Sequence, residues 1–473
     1  MISLKKIKES KFFEPEDTFQ AHKLWSKTET RLWTINFFIG TCVLYASRAA
    51  LPICATVMAQ EYGWNKANSG TVLSCFFWGY ALTQVGAGKC ADRYGGEKIL
   101  SFTTLIWIFL TFFTPQLFDI SYYLPFNSLF LVMIVRIFTG VGQGFHLPCM
   151  ASMISRHLTL TEKSRVFGFT LGGTHLGTVI AGGIGSILLD FFGWRQLFQF
   201  VGILSFIWWI LFKRLVANKS IRSKIYNLGE QYPKPYFKAK NSFDSLPLKE
   251  NPNNKGNNNK INQHISLPPV EVPWKTLLTH KSFWAAVVAQ YSGANAYYTM
   301  FSWLPSYFHD NYPDAKGFVF NVIPSLGIVV TSIIAPTIAA KILASGKSVT
   351  FTRRIMEVFS LLGISICLII VSLTSTTNYI VPVLIFTMAM SFRGLHHGGV
   401  AVNVPDFAPN HTGAVFGLFN SFSAVTGFVG VYFAGKILQI TGNNWSLVFL
   451  FTALQSIIGA IVYGFLGTGN RII

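Results

Sequence analysis

The segment "GKCADRYGGEK", residues 88–98, carries five charged side chains in eleven positions, between two runs that carry almost none. Those runs fall at about 69–88 and 99–118. A helix crosses the hydrocarbon of a bilayer in roughly 20 apolar residues, so each run suits one crossing and the charged segment reads as the turn between them. Gly88 and Gly95 permit a tight turn and close approach of helices. Asp92 and Arg93 offer charge partners at one end of a bundle, where they can latch one arrangement of helices and release in another. Working outward, further apolar runs lie at about 33–58, 128–152, 165–189 and 196–216. After a polar gap they resume at about 281–308, 317–342, 354–373, 378–401, 412–438 and 445–466. The pattern is six runs, a loop, then six.

Composition points the same way. Of 473 residues, 51% are hydrophobic and only 12% are charged, about half the charged share of a soluble protein. The expected class is an all-α membrane protein with 12 transmembrane helices in two six-helix bundles. The expected division is a cytosolic N-terminal tail (1–31), an N-terminal bundle (32–216), a basic linker (217–276), a C-terminal bundle (277–466) and a cytosolic C-terminal tail (467–473). Within the linker, "KENPNNKGNNNKINQH" (249–264) cannot bury an apolar face and is expected to be disordered.

The net charge of +19 is uneven, with thirteen Lys/Arg against four acids over residues 213–281. Basic residues concentrated in alternate loops follow the positive-inside rule, which puts both termini in the cytosol. That distribution argues against a nucleic-acid partner. The charged first 30 residues do not read as a signal peptide. The six cysteines sit in apolar runs or at their edges, with no Cys-x-x-Cys pair, and read as packed thiols rather than disulfides or metal ligands.

The halves resemble each other. "SRVFGF" (164–169) precedes a glycine-rich run ending at Gly193, and "GAVFGL" (413–418) precedes another ending at Gly442. The distance from the Val-Phe-Gly glycine to the terminal glycine is 25 residues in both. A parallel six-helix repeat of this kind is a transporter signature.

Arg48 lies within "CVLYASRAALPICA" (42–55), near the middle of the first run. A lone cation there costs about 2.5–3.5 kcal/mol even on lenient insertion scales. The fourth run, "VRIFTGVGQGFHLP" (135–148), holds Arg136 and His146, with Gly140, Gly142 and Gly144 allowing a neighbouring helix to pack close. "GVGQG" there lacks the Lys-Ser/Thr of a phosphate-binding loop. His175, in the glycine-rich fifth run, reads as a helix–helix hydrogen bond rather than a ligand. In "SFRGLHHGGVAVN" (391–403), Arg393 and His397 stand four apart on one helix face. His396 and His397 suggest a metal only if carboxylates join them, and none is near in the sequence. The clear interiors of the runs hold no Asp or Glu; Asp190, Asp406 and Glu357 read as lying at run ends. Buried cations without acids leave an anionic solute as the natural counter-ion, held by arginine forks. No catalytic set stands in a soluble segment, so an enzyme is not expected.

"GKCADRYGGEK" and "RIFTGVGQG" resemble the G-x-x-x-D-R-x-G and R-x-x-x-G-x-G-x-G motifs of the major facilitator superfamily. "GWNKANSGTVLSCFFWGY", "SWLPSYF", "YPDAKGFVFNVIPSLG" and "VNVPDFAPNHTGAVFG" resemble the organic-anion transporters of solute carrier family 17, most of all its vesicular nucleotide-carrying branch. The resemblance spans nearly all twelve runs. It implies potential-driven, chloride-stimulated transport of ATP, ADP and GTP into secretory vesicles by alternating access, in a multi-pass membrane protein of those vesicles or of lysosome-related organelles, with a vesicular proton pump supplying the potential. It implies no cofactor, with chloride as an activator. Arg48 and Arg136 match the family's arginines of spans 1 and 4, and His397 a histidine of span 10; His146 and Arg393 join them on the residues alone. Leu73 and Gln143 stand where glutamate-carrying relatives have histidine and glutamate. The alternative is another anion of the same family, such as sialic acid, urate, glutamate or phosphate, coupled to protons or sodium, at the plasma membrane or lysosome. A receptor on the same fold would not need the loop motif and both arginines.

Overall fold

The computed structural model describes residues 25–123, 128–158, 160–217, 272–409 and 412–473. The expected N-terminal tail and Asn/Lys-rich linker lie largely outside these residues. All regular elements described are helical: α1 (Lys27–Tyr62), α2 (Lys66–Tyr94), α3 (Gly96–Phe112), α4 (Thr114–Tyr123), α5 (Ser128–Gly144), α6 (His146–His157), α7 (Leu160–Phe192) and α8 (Trp194–Ala217) form the first half. A short α9 (Trp274–Thr279) leads into α10 (Lys281–Asn311), α11 (Gly317–Ala344), α12 (Val349–Leu373), α13 (Ile380–Gly394), α14 (Val404–Phe407), α15 (Thr412–Ile440) and α16 (Trp445–Leu466).

Local chemistry sets the boundaries. Ser26 and Glu29 form a reciprocal capping box at the start of α1, with Ser26 N–H donating to Glu29 at 2.7 Å, which satisfies two otherwise orphaned donors. Gly63, at φ +66°, ends α1 in the left-handed region, and Asn65 then caps α2 by accepting from Asn68 N at 2.8 Å. Spans 3, 4 and 10 are each made of more than one helix; α3 and α4 meet at a 55° bend.

Among the described residues, nine helical segments are long and apolar enough to cross a membrane, ten with the bent α3–α4 pair. The two that fall short of that apolarity are α2 and α10, 29 and 31 residues long. Both lie at the junction of the halves, α2 against α15 and α10 against α1, so part of their surface faces protein rather than lipid. With them, twelve membrane-length segments run in chain order, six to a half.

Close packing in the first half depends on glycine. A Cβ at Gly140 would stand 2.0 Å from the Phe76 carbonyl oxygen, and one at Gly79 the same distance from that of Ile137, so α2 and α5 touch backbone to backbone. Gly144 faces Thr83 of α2 as tightly, and Gly142 faces Trp107 of α3 at 3.0 Å.

The halves join most firmly at the end opposite the termini. Lys66 pairs with Asp310 at 2.6 Å, Gln60 meets His309 at 3.1 Å, and Asn321 donates to Ser186 at 3.0 Å. A Cβ on Gly70 of α2 would be 3.1 Å from Gly435 Cα of α15. At the same end of the first half, Arg195 of α8 binds Glu61 of α1 and Asp119 of α4, which also accepts from Tyr62 at 2.7 Å. Toward the termini contact thins: Asn420 donates to Gln84 at 3.2 Å, but a Cβ at Gly86, Gly88, Gly168 or Gly417 would meet nothing within 4 Å.

Of the charged turn, Gly95 adopts φ +92° between α2 and α3. Arg93 is exposed and lies over the Tyr94 ring at 5.3 Å. The Asp92 side chain lies outside the described residues.

Candidate substrate site

Arg48 projects from α1 and is 3% exposed. Its guanidinium lies 4.5, 4.9 and 4.6 Å from the ring centres of Tyr45, Phe76 and Tyr80. Tyr45 precedes it by three positions on α1, and Phe76 and Tyr80 stand four apart on α2, so helical spacing builds the cage. Nε donates to Gln143 Oε1 of α5 at 3.4 Å. Gln143 is itself held, since its amide donates to Ser47 at 3.3 Å and Ser47 contacts Thr111 at 3.0 Å. Both terminal nitrogens of Arg48 lack a hydrogen-bond partner.

Arg136, 4% exposed, shares the Phe76 ring at 5.2 Å and leaves its Nε unpartnered. Two buried like charges therefore face one aromatic ring. Cation–π contact offsets part of the cost of desolvation, but a buried charge without a counter-ion is strongly unfavourable. The arrangement suits an anion that reaches both guanidinium groups.

The histidines are divided. His146 is fully buried within the first half, with Nε2 3.4 Å from Thr41 and its ring 5.6 Å from that of Trp208. His397 instead meets His175 of α7 across the junction of the halves, with Nε2 atoms 3.4 Å apart. Tyr297 of α10 flanks His175 at 6.3 Å between ring centres and lies within electrostatic reach of both Arg48 and Arg393. Arg393, at the end of α13, is 9% exposed and passes Gly293 of α10, with Nη1 unpartnered.

Two readings of the sequence need correction. Arg393 and His397 do not share one α-helical face, because α13 ends at Gly394 and His397 lies in the 3-10 turn Leu395–Gly398. Glu357 does not lie at a span end: it is inside α12 and fully buried. Its carboxylate contacts His396 Nδ1 at 2.9 and 3.0 Å, so a carboxylate does stand beside the histidine pair. Its distance of 39 positions from His396 hid it. Among the described residues, no group of three or more His, Cys, Asp or Glu is placed to hold a metal ion.

The sequence reading also passed over the aromatic cage and Gln143 as a partner of Arg48. Tyr45 and Arg48 share a helix face and were legible as neighbours, whereas Gln143 is 95 positions away.

Two helical bundles that bury arginines with unpartnered guanidinium nitrogens define a membrane transporter of a small anionic solute. The Major Facilitator Superfamily pattern matches residues 37–431, and the chain belongs to that superfamily and, within it, to solute carrier family 17. The voltage-gated purine nucleotide uniporter SLC17A9 of Rattus norvegicus is 34% identical over 451 residues, covering 95% of this chain and 92% of the relative. Its Homo sapiens counterpart is 31% identical, covering 95% and 94%. The chloroplastic ascorbate transporter of Arabidopsis thaliana is 28% identical, covering 97% and 79%. Among solved structures, the chain is similar to a bacterial homologue of the human lysosomal transporter Spinster, with a TM-score of 0.64 at 14% identity over 93% of this chain and 97% of that one.

Proposed function

We propose that this chain carries purine nucleotides, ATP among them, into secretory vesicles by alternating access, driven by the membrane potential and stimulated by chloride. Both termini face the cytosol, and a vesicular proton pump maintains the potential. The observation that carries this reading is the Arg48 site: two buried guanidinium nitrogens set among tyrosine and phenylalanine rings with no anionic acceptor, a second arginine on the same ring, and no carboxylate among their hydrogen bonds. Phosphate oxygens match an arginine fork, and the relatives named as nucleotide uniporters support the substrate class. Arg393, His397 and His146 contribute to the site or its support, and the 88–95 turn serves as a latch.

Each elementary charge moved through 100 mV is worth about 2.3 kcal/mol. A nucleotide crossing with three uncompensated charges gains roughly 7 kcal/mol, about five decades of concentration ratio. A potential alone is therefore a sufficient source of energy. The test is uptake of labelled ATP into proteoliposomes under an imposed inside-positive potential without a pH difference. Accumulation is expected. Its absence, with robust uptake under a pH gradient at zero potential, refutes the reading.

A second reading is another organic anion, favoured by the ascorbate-carrying relative. A panel of anions in the same assay separates the two.

A further inference from the structure

Span 10 is interrupted near Arg393. α13 ends at Gly394, 3-10 turns follow at Leu395–Gly398 and Val400–Val402, and α14 resumes at Val404. An interruption at membrane depth frees backbone groups that protein must satisfy. α12 does so from two residues one turn apart on the same face. Arg353 Nη1 donates to Gly398 O at 3.0 Å, and Glu357 Oε2 accepts from Val400 N at 3.1 Å.

Arg353 is steadied by Asp406 of α14 at 2.7 Å, and the Glu357 carboxylate also holds His396 Nδ1. Close approach is built in: a Cβ at Gly399 would stand 2.6 Å from Glu357 Oε2. The clamp therefore grips His396 and Val400, which bracket His397, and it begins three residues after Arg393.

We propose that Glu357 is a positioning residue: from α12 it clamps the interruption of span 10 and so fixes where Arg393 and His397 stand toward the transported anion. This rests on the anion-site reading of those two residues. The bonding supports an anchor rather than a partner for solute. Both carboxylate oxygens of Glu357 already have donors, whereas the terminal nitrogens of Arg48 have no acceptor. What the role requires is acceptor geometry, not net charge.

That requirement separates two substitutions. In Glu357→Gln, the amide oxygen can accept from Val400 N–H while the amide nitrogen donates to His396 Nδ1 in its other tautomer. In Glu357→Ala both contacts are lost. The full chain is reconstituted in proteoliposomes, and wild-type protein is first offered ATP, glutamate and inorganic phosphate. The anion it carries is used for every variant, so failure of the nucleotide reading shows in the wild type and leaves this comparison intact. Glu357→Ala is expected to raise KM about tenfold or more, at a maximal rate per inserted molecule within about threefold of wild type. Glu357→Gln is expected to keep KM within about threefold. Should Glu357→Ala not reach the membrane, His396→Ala against His396→Asn asks the same question, since the Asn amide replaces the Nδ1 donor; KM is expected to rise in the first and recover in the second. A Gln variant as defective as the Ala variant overturns the proposal in favour of a role for the charge. An Ala variant that loses maximal rate at unchanged KM overturns it in favour of a role in folding alone.

Discussion

Replacing Arg48 with methionine keeps an unbranched apolar stem and removes the buried charge. In the empty protein two effects oppose. The charge loses contact with three aromatic faces, each worth roughly 1–2 kcal/mol when desolvated. Against that, a buried cation with two unpartnered nitrogens costs several kcal/mol, and an apolar replacement of similar volume is often neutral or stabilising. The stability of the substrate-free protein is expected to change by no more than about 2 kcal/mol. The substrate-bound state behaves differently. Two charge-assisted hydrogen bonds to phosphate contribute about 1.5–3 kcal/mol each, so even the lower value for both weakens binding by roughly a hundredfold. At a nucleotide concentration of about 100 Kd, wild-type protein gains about 2.7 kcal/mol of ligand-linked stability; a variant with hundredfold weaker binding gains only about 0.4 kcal/mol. Thermal unfolding in detergent with and without ATP reads both quantities, and proteoliposome uptake reads the consequence. A variant that keeps the ligand-induced shift and normal uptake refutes the anion-site assignment. So does one that loses several kcal/mol without ligand, because Arg48 is then a structural strut.

Gln143→Glu places a carboxylate beside Arg48 Nε, 3.4 Å away; competition with the anion is expected to lower uptake affinity about tenfold, measured as KM for ATP. Asp310→Asn weakens the 2.6 Å pair with Lys66, a partly exposed bridge worth up to about 1 kcal/mol; opening of the end opposite the termini should increase severalfold, read as alkylation rate of a cysteine placed at Ser306. Gly140→Ala forces a Cβ to within 2.0 Å of Phe76 O and is expected to destabilise by more than about 2 kcal/mol, whereas Gly86→Ala meets open space and should be neutral; unfolding temperatures that rank the two in the other order contradict the packing account.

The fold was legible because membrane crossing imposes length and apolarity that a single sequence displays. The repeat was legible too: Gly193 and Gly442, matched by spacing alone, both adopt positive φ, +86° and +65°, where their helices end. Pairings across helices were not legible. Glu357 follows Arg353 and Arg354 near a span boundary, and nothing local shows that it reaches the interruption of span 10. The cage around Arg48 was half readable. Tyr45 shares its helix face, but which ring of α2 or which polar group of α5 reaches the guanidinium depends on how helices cross. His175 was read as a helix–helix contact, and it makes one, though across the halves and with His397. The more polar character of α2 and α10 marked the junction of the halves, a signal that a search for apolar runs smooths away.

The seams that close one end are mirror terms of a duplication. If spans five and eleven correspond, as their glycine spacing indicates, then two and eight correspond as well, and the α2–α15 seam maps onto the α11–α7 seam. In an ancestral pair of identical subunits these were one self-complementary interface occurring twice. In this chain they have diverged. One meets as bare backbone, Gly70 against Gly435; the other through a side-chain hydrogen bond, Asn321 to Ser186. At the closed end the glycine contact can part without releasing a polar group, while the Asn321 amide must first exchange its partner; nearer the termini the α2–α15 seam stays linked, Asn420 donating to Gln84 at 3.2 Å. Opening is thus not a symmetric parting: one jamb behaves as a pivot and the other as a catch, and single substitutions can tune the catch without touching the pivot.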